Sequence, residues 1–410
     1  MEAIELPFLM EPCMNARLKC FCQLGDLSGS APWMTQTRRQ IHQHPELSFQ
    51  EVQTAALVAQ NLKDWGWQVT EGVGGHGVVG TLKCGSGTKS IALRADMDAL
   101  PIQEATGKPY ASQHAGVMHA CGHDGHTAIL LGAAEHLAKT RRFSGTVQLV
   151  FQPAEEAGKG SGAQRMIEDG LFERFPCDAI FGLHNTPGYP AGHLGFGSGA
   201  FMCASDTARI TIHGRGGHAA RPHQTVDPIL IAGSLVMALQ SVVARNIDPR
   251  STAIVSIGAL HAGSASNVIP DSATMALSIR SFDADARDRL EQRIKALVTS
   301  HVEGYGGTVT IDYERGYPVV VNSEAETDFA RQVAEELVGP EKVIAPFPPV
   351  TGSEDFAYYL QKKPGCFLRL GNGEAGAMLH NPHYDFNDEV LTVGAAYWTR
   401  LVERFLEVEA

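Results

Sequence analysis

Short runs in which hydrophobic and polar residues alternate recur through the first half of the chain, and helical periods separate several of them. The runs predict strands at 68–71, 78–82, 90–95, 146–152 and 179–183. Helices are predicted at 35–44, from Ser48 toward Trp65 and over 127–137, and Ser48 and Glu51 have the spacing of a capping box. Alternating strands and helices indicate a largely parallel sheet that helices cover on both faces.

The pattern changes near residue 205. The next elements read strand, helix, strand, strand, helix, strand, at 206–212, 227–244, 252–260, 273–281, 285–302 and 308–313. This order is typical of a ferredoxin-like α+β fold. The first pattern resumes after 316, with helices at 324–337, 353–360 and 388–405 and a strand at 366–370.

The chain is therefore predicted to be α/β, with a mixed, mostly parallel sheet domain that carries an inserted ferredoxin-like α+β domain. Residues 1–30 show no clear period and are interpreted as an N-terminal extension. The main domain is expected to comprise 31–204 and 316–410, with the insert at 205–315. A length of 410 residues, 44% of them hydrophobic, suffices for two cores.

Charge and cysteine content narrow the class of protein. A formal net charge of −12 argues against nucleic acid or an anionic membrane as the main partner. No run is expected to approach the roughly 18 apolar residues of a membrane helix, and Glu2 and Glu5 stand where a secretion signal carries positive charge. The eight cysteines are too scattered for a small disulfide scaffold. A cytoplasmic protein with mostly reduced cysteines is expected.

The densest chemistry lies at 119–126, where HACGHDGH places three imidazoles, a thiol and a carboxylate just before a predicted helix. Imidazole and thiolate suit zinc and neighbouring divalent metals, and on an extended loop Cys121 and His123 would point the same way. For a lone cysteine or histidine, a buried structural role is the usual alternative. The density here favours metal ligation. The remaining polar side chains are interpreted as partners that orient the ligands: His119, Asp124 and His126.

Two adjacent carboxylates, Glu155 and Glu156, follow the predicted strand 146–152. In isolation such a pair is usually a solvated acidic turn. Beside a metal ion the two have distinct tasks, because adjacent side chains diverge: one can bind the ion while the other takes a proton from a metal-activated water as general base. The spacing alone leaves open which carboxylate has which task.

Two further histidines stand in similar settings. His184 in GLHN and His380 in MLHNP each follow apolar residues and precede an asparagine and a turn. A lone histidine in this setting is as often structural as functional, but beside the cluster both are candidate metal ligands. Like the Glu pair, Asp96, Asp98 and His184 follow predicted strands, so all are expected at one rim of the sheet.

Eight motifs together resemble one known family. They are RRQIHQHPELS at 38–48, RADMDAL at 94–100, HACGHDGH at 119–126, QPAEE at 152–156, GRGGHAA at 214–220, NVIP at 267–270, SEDF at 353–356 and LHNPHYDFND at 379–388. Over roughly 35–408 the chain resembles peptidase family M20, the aminoacylase- and carboxypeptidase-like dinuclear metallohydrolases. Within that family it is similar to the amidohydrolase subgroup of hippurate hydrolases, N-acyl-amino-acid deacylases and auxin-conjugate hydrolases.

The resemblance implies a site for two divalent ions bridged by the Cys121 thiolate. The implied ligands are His123 and His184 for one ion and Glu156 and His380 for the other. Glu155 would be the general base. A bridging thiolate leaves manganese, zinc, cobalt and nickel as candidates, and the family favours manganese or zinc.

In the family the insert is a lid that dimerises through its helices and strand edge, so a homodimer or higher homo-oligomer is expected. His218 would then reach into the partner subunit's site and stabilise the oxyanion. The alternative is that His218, flanked by glycine in a loop, is merely exposed. Asn267 would contact the substrate amide or oxyanion, and Arg280 is the natural partner for a substrate carboxylate.

The predicted function is a metal-dependent amidohydrolase that cleaves N-acyl amino acids, hippurate-like or related small amides, with metal-activated water and Glu155 as base. Two alternatives stay open: a cysteine amidase with Cys121 as nucleophile, and an inactive homologue that binds metal or ligand. The acyl group and the amino acid are not specified, because one methylene contributes only about 1 to 3 kcal/mol to discrimination.

Overall fold

The computed structural model describes residues 21–407. Its α-helices are α1 (Ala31–Gln43), α2 (Val52–Asp64), α3 (His123–Thr140), α4 (Gly162–Glu168), α5 (Leu171–Arg174), α6 (Pro228–Asn246), α7 (Ala284–Gly304), α8 (Glu324–Val338), α9 (Phe356–Leu360) and α10 (Leu391–Phe405). Its strands are β1 (Gln68–Val73), β2 (Gly77–Cys84), β3 (Ser90–Asp96), β4 (Gly145–Gln152), β5 (Ala179–Thr186), β6 (Leu194–Gly195), β7 (Gly199–Met202), β8 (Ala204–His213), β9 (Gly217–His218), β10 (Ala253–Ala262), β11 (Val268–Ile269), β12 (Ser272–Ser281), β13 (Thr308–Arg315), β14 (Val320–Asn322), β15 (Val343–Ile344) and β16 (Gly365–Gly371). Short 3-10 helices lie at Leu24–Ser30, Glu155–Ala157, Pro222–Gln224, Pro340–Lys342 and Asp388–Val390.

An eight-stranded sheet forms the centre of the larger part of the molecule, in the order β1-β2-β4-β3-β5-β16-β6-β15. β4, β3, β5 and β16 run parallel to one another, whereas β1 and β2 pair antiparallel at one edge. Successive residues of β3 point to opposite faces. Ile91 and Leu93 pack in the core that contains α3 and α10, and Ala92 packs in the core that contains α4 and α9. The predicted mixed, mostly parallel α/β fold is confirmed.

A four-stranded antiparallel sheet, in the order β10-β12-β8-β13, forms the inserted part. Along the chain its elements follow the predicted sequence β8, α6, β10, β12, α7, β13. Alternate residues of β12 are buried, and α6 and α7 pack on that face. The packing core consists of residues such as Ile210, Leu235, Met275, Leu290 and Val298.

Helix α6 has the length and composition of a membrane span, with 19 residues and a mean hydropathy of 1.6. It is the one such helix among residues 21–407, so the expectation that no run would approach this composition is wrong. Core helices of soluble proteins meet the same criterion. Ile231, Leu235 and Leu239 of α6 are buried in the core of the four-stranded sheet, and 33% of the apolar window is buried in all.

Helix α3 begins at His123, before the predicted start at 127. Gly122 adopts a left-handed conformation and turns the chain directly into the helix. His123 therefore lies in the first turn of a helix and not on an extended loop. From His123 to Ala134 every residue of α3 is buried, because the helix is apolar after its first turn and lies within the larger core.

The capping box predicted at Ser48 and Glu51 is wrong. Helix α2 begins after Glu51, whose carboxylate accepts hydrogen bonds from the N–H groups of Phe49 and Ala154. Ser48 instead donates to Asp98, at 2.7 Å. The two residues therefore join α2 to the sheet rim.

Of the expected N-terminal extension, residues 1–20 lie outside the described range, and Leu24–Ser30 forms a 3-10 helix. The short strands β6, β7, β9, β11, β14 and β15 were not predicted. They contain two to four residues each, too few to show an alternating pattern.

Candidate metal centre

The carboxyl ends of neighbouring parallel strands meet at one rim of the eight-stranded sheet. Asp96 ends β3, Gln152 ends β4 and His184 lies near the end of β5. The first turn of α3 reaches the same rim, because the hydroxyl of Thr127 donates to the Asp96 carbonyl at 2.9 Å. Ligands of such sheets bind beyond the carboxyl ends of the strands, so this rim is the expected place for a site.

Gly122 shapes the turn that presents the cluster. Its φ is 88°, and a Cβ at this position would lie 2.6 Å from the Tyr384 hydroxyl oxygen and still closer to the Asn185 amide. Asn185 donates to the Cys121 carbonyl at 2.7 Å and accepts from the Tyr384 hydroxyl at 2.7 Å. Both the backbone conformation and the space therefore require glycine between Cys121 and His123.

The five side chains predicted as metal ligands lie together at the rim. One donor atom from each of Cys121, His123 and His184 lies within 4.8 Å of the other two. The same holds for a second set: Cys121, Glu156 and His380. The Cys121 sulfur is 3.3 Å from Nε2 of His184, and Nε2 of His380 is 3.3 Å from Oε1 of Glu156. Two donor sets that share one sulfur suit two ions with a bridging thiolate.

The donors also have free atoms for ligation. Nδ1 of His123 donates to the Asp98 carbonyl at 2.9 Å and Nδ1 of His184 donates to the Asn185 carbonyl at 2.7 Å, which leaves Nε2 of each ring available. Within the described part of the chain, Nε2 of His123 is buried without a hydrogen-bond partner. Buried polar atoms seldom stay unpaired. The residues therefore fit divalent metal ions.

Asp98 connects His123 to the two glutamates. Its two oxygens accept the N–H groups of Glu155 and Glu156, each at 3.0 Å, and Oδ1 lies 3.2 Å from Nδ1 of His123. Burial alone would raise the pKa of Asp98, but hydrogen bonds from His123, Ser48 and Glu156 hold this pKa below its ordinary value. Sequence reasoning put Asp98 at the rim without a task. The structure shows that it positions both glutamates relative to a donor histidine.

Glu155 lies in a buried acidic environment. Burial first, and then repulsion by Glu354, Glu156 and Asp355, raises the pKa of Glu155 well above its ordinary value. The buried guanidinium of Arg94 pairs with Glu354 and Asp355, each at 2.9 Å. A carboxylate whose pKa is raised is a stronger base than an ordinary glutamate. The SEDF motif contains Glu354 and Asp355, but their place beside Glu155 could not be read from it.

Asp124, in the first turn of α3, is anchored by the opening helix of the main domain. Its Oδ2 lies 2.8 Å from Nδ1 of His42 and 3.5 Å from Arg38. Arg38 also pairs with Asp388 at 2.8 Å. The RRQIHQHPELS motif therefore fixes the start of α3, and with it the orientation of His123.

His126 is engaged by the protein on both ring nitrogens. Its Nδ1 donates to Asp96 at 2.7 Å, and its Nε2 accepts the N–H of Asn185 at 2.9 Å. Donor atoms of Asp96, His123 and His126 also lie within 4.8 Å of one another, but the second bond on His126 leaves it no free atom for an ion. His119 differs, since neither of its nitrogens has a hydrogen-bond partner in residues 21–407.

The three residues predicted in the insert lie in two places, because Arg280 pairs with Ser205 at the far end of β12 from His218 and Asn267. His218 and Asn267 lie next to each other at the ladder of β9 and β11, where the N–H of Ala219 donates to the Asn267 carbonyl at 3.1 Å. Arg280 is half-buried on β12. Among the described residues, no hydrogen bond or ion pair joins His218, Asn267 or Arg280 to the metal-donor cluster.

Tyr317, which follows the insert, is a site residue that the sequence reasoning missed. Its hydroxyl donates to the Glu155 carbonyl and accepts the N–H of Gly158 at 2.8 Å. Beside it, the N–H of Ser205 donates to the Tyr317 carbonyl at 3.0 Å and the N–H of Gly316 donates to the Ser205 carbonyl at 2.9 Å. The two connections of the insert therefore run side by side at the Glu155 loop. The Gly-Tyr pair at the end of the insert is the one sequence signal for it.

Comparison with known proteins identifies the family of the chain. The model of Peptidase family M20/M25/M40 matches residues 92–404. Hippurate hydrolase of Campylobacter jejuni is 46% identical over 370 residues, which are 90% of this chain and 96% of that protein. N-acetyl-L-cysteine deacetylase of Bacillus subtilis is 41% identical over 362 residues, 88% of this chain and 85% of that protein.

One solved structure has the same fold. It is a dinuclear metal binding peptidase of the M20 family from Bacillus subtilis, 34% identical in sequence. The alignment covers 93% of this chain and 99% of that chain, with a TM-score of 0.79. The chain therefore belongs to peptidase family M20/M25/M40 and is a metal-dependent hydrolase of that family.

Proposed function

We propose that the protein is a two-metal amidohydrolase that cleaves the amide bond of N-acyl amino acids. The observation that carries the proposal is the Cys121 thiol, which belongs to both donor sets at the rim. Two relatives are named for hippurate and for N-acetyl-L-cysteine, and both compounds are N-acyl amino acids. This substrate class is therefore the one that the relatives support.

The proposed metal site uses Cys121 as the bridge between two ions, manganese or zinc. The ligands are His123 and His184 for one ion and Glu156 and His380 for the other. When bound, such ions polarise the scissile carbonyl and acidify the attacking water. His380 is half-exposed, whereas Cys121, His123 and His184 are buried. The site therefore opens to solvent beside His380.

Glu155 is proposed as the general base. It takes a proton from the attacking water and returns it to the leaving amine. Its backbone is held on both sides, because its N–H is bound by Asp98 and its carbonyl by Tyr317. The carboxyl group can therefore change its protonation state without a change in the position of its peptide.

The insert is proposed to act as a lid and to form a homodimer. Helix α6 exposes Ile229, Leu230 and Met237, with 73% of Met237 accessible, and Leu260 is exposed on β10. β10 is also the outer strand of its sheet. An exposed apolar helix face beside an unpaired strand edge is a surface that association covers. In such a dimer, His218 of one subunit would enter the site of the other.

In the closed site His218 and Asn267 would stabilise the oxyanion, and Arg280 would pair with the substrate carboxylate. Mixing two inactive variants tests this arrangement. His218→Ala and Glu155→Gln subunits should together recover roughly a quarter of the wild-type activity after exchange, because half the dimers are mixed and each has one intact site. No recovery in dimers shown to exchange would exclude His218 acting between subunits.

We propose a cytoplasmic location, because the shared donor must be a thiolate and a reducing compartment keeps Cys121 reduced. The six cysteines of the described range are all free thiols, which is consistent with this location.

Chelation separates this function from its alternatives. The enzyme should hydrolyse hippurate after loading with manganese or zinc and lose that activity on exhaustive chelation. Glu155→Gln should lower kcat by at least about 100-fold, while the surface change Glu173→Gln should leave it unchanged.

A cysteine amidase is the second candidate, since the Cys121 sulfur is 3.3 Å from His184 Nε2 and the pair resembles an activated nucleophile. Mass spectrometry of quenched reactions distinguishes the two. Full activity without metal together with an acyl group on Cys121 would replace the two-metal proposal, and no turnover of any N-acyl amino acid by metal-loaded protein would indicate an inactive homologue.

A further inference from the structure

A second cluster of metal-binding side chains lies at the opposite end of α3. Donor atoms of Cys22, Asp26 and His136 all lie within 4.8 Å of one another. His136 stands thirteen residues after His123 in the helix, which corresponds to roughly 20 Å along its axis. The cluster is therefore separate from the candidate metal centre. It involves none of the residues assigned to hydrolysis.

The cluster includes buried polar atoms that lack a partner. Cys22 and Glu403 are both fully buried, and one oxygen of Glu403 accepts the N–H of Cys22 at 2.5 Å. In residues 21–407 the other oxygen of Glu403 has no hydrogen-bond partner, and neither does Nε2 of His136. Buried polar atoms seldom stay unpaired, so the free Nε2 of His136 within a set of metal-donor atoms indicates that a ligand completes the group.

The charged groups around the cluster balance one another, so the case for a metal ion rests on its donor atoms. Asp26 and Glu403 contribute two carboxylates, and Arg142 and Arg400 are the positive groups near them. Arg400 is already engaged, because it donates to the Cys22 carbonyl at 3.2 Å and lies 3.7 Å from Glu336. Burial, followed by Glu403 and Asp26, raises the pKa of the Cys22 thiol to about 12, so the sulfur keeps its proton until a cation displaces it.

We propose that Cys22, Asp26 and His136 bind a structural zinc ion. Thiolate, imidazole and carboxylate are the ligand types of zinc sites. Donors of a tetrahedral zinc ion are about 3.3 to 3.8 Å apart for bonds of about 2.0 to 2.3 Å, so a separation of up to 4.8 Å closes with small rotations. Asp26 is exposed, and its Oδ2 accepts the Gln23 N–H at 2.9 Å, so its second oxygen, Oδ1, is the one offered to the ion.

Binding requires only an acid–base step. The zinc–sulfur bond forms as the sulfur–hydrogen bond of Cys22 breaks, and the proton passes to solvent, with no change in oxidation state. The ion would fasten the segment that begins near Cys22 to α3, and through Glu403 to α10. Its role is therefore structural, and it attaches the start of the described chain to the main core.

Cobalt substitution tests the site in the full-length chain. The starting variant carries Cys121→Ser, Cys13→Ser and Cys20→Ser. These changes remove the thiolate of the candidate metal centre and the two cysteines that precede Cys22. After cobalt is added, this starting variant should show the near-ultraviolet sulfur-to-cobalt charge-transfer band. Adding Cys22→Ser should abolish this band, Asp26→Asn should weaken cobalt binding at least tenfold, and Cys366→Ser should change neither.

A count of bound zinc in the otherwise wild-type chain provides the second measurement, which needs no altered catalytic residue. Native mass spectrometry should show one zinc ion fewer in Cys22→Ser than in the wild type or in Cys366→Ser. Adding zinc should also raise the melting temperature of Cys22→Ser by less than it raises that of the wild type. Equal zinc counts, or a charge-transfer band that persists without Cys22, would overturn the proposal. Neither measurement depends on hydrolysis, so a negative result would not count against the proposed amidohydrolase function.

Discussion

Gly122 has no space for a side chain larger than hydrogen. Gly122→Ala combines a left-handed φ with contacts to Asn185 and the Tyr384 hydroxyl. We expect it to lower the free energy of unfolding by about 2 to 5 kcal/mol, the sum of backbone strain and overpacking. It should also lower activity, because Cys121 and His123 flank the turn. Urea unfolding and hippurate hydrolysis measure the two effects.

Gly107 provides the matched control for this change. Its φ of 67° is also left-handed, but a Cβ there would meet nothing within 4 Å. Gly107→Ala should therefore show only the backbone cost, about 1 to 2 kcal/mol, with full activity. Equal destabilisation by the two changes would contradict the packing argument at Gly122.

The buried pair of His42 and Asp124 makes stability depend on pH. Burial alone would lower the pKa of His42, but hydrogen bonds with Asp124 and Glu104 raise it from 6.5 to about 9. A raised pKa means that the stabilisation is complete below pH 6.5 and is lost as pH rises through 9. Between pH 6 and pH 10 the metal-free protein should lose about 3 kcal/mol of unfolding free energy from this group.

Urea unfolding of His42→Gln across the same range checks the assignment. At pH 6 this variant should have a lower free energy of unfolding than the wild type. Between pH 6 and pH 10 its free energy of unfolding should fall by less than that of the wild type. His223→Gln, a change at an exposed histidine, should reproduce the wild-type slope. An unchanged slope in His42→Gln would assign the pH dependence to other groups.

At the scale of elements, Asp98 joins the end of β3 to α3 and to the Glu155 loop. Asp98→Asn keeps the shape but places a donor amide against one of the two N–H groups that the carboxylate accepts. We expect a 10- to 100-fold loss of metal affinity and of kcat, as for other residues that orient metal ligands. Chelator competition and steady-state kinetics measure both.

Asp178→Asn is the control at the opposite end of the same strand. Asp178 also accepts a backbone N–H, from Ser90 at the start of β3, at 2.7 Å. This change should cost some stability without affecting metal affinity. If Asp98→Asn behaved in the same way, its carboxylate would be structural only.

Elements with a regular pattern could be predicted from the sequence, and those defined by contacts could not. Strands β1 to β5 and the helices of the insert show clear periods, so their prediction was close. The start of α3 depends on the conformation of Gly122, and the role of Ser48 depends on Asp98, which is distant in sequence. For the same reason, spacing identified donor residues but could not show that His184 and His380 meet Cys121.

At the scale of the whole molecule, the exposed face of α6 carries the prediction for assembly. Met237→Glu puts a charge on a side chain that is 73% exposed in the single chain. If this face is covered in a dimer, the charge should shift the protein to monomers, because burying it without a partner is costly. Activity should fall with the dimer, since the site would then lack His218.

Light scattering after gel filtration and hippurate kinetics test the assembly together. Val52→Glu is the control, because Val52 is 56% exposed but lies outside the insert. It should remain dimeric and active. A monomeric wild type, or a dimer that survives Met237→Glu, would exclude the α6 face as the interface.

The hydroxyl of Tyr317 gives the two parts of the molecule a common fixed point. It holds the carbonyl of Glu155, and its own backbone belongs to the paired connections through which the insert leaves and re-enters the main domain. Rotation of the insert about those connections would therefore pull on the peptide of the base itself. If the insert acts as the proposed lid, its movement and the position of the Glu155 peptide would be coupled through this one hydroxyl.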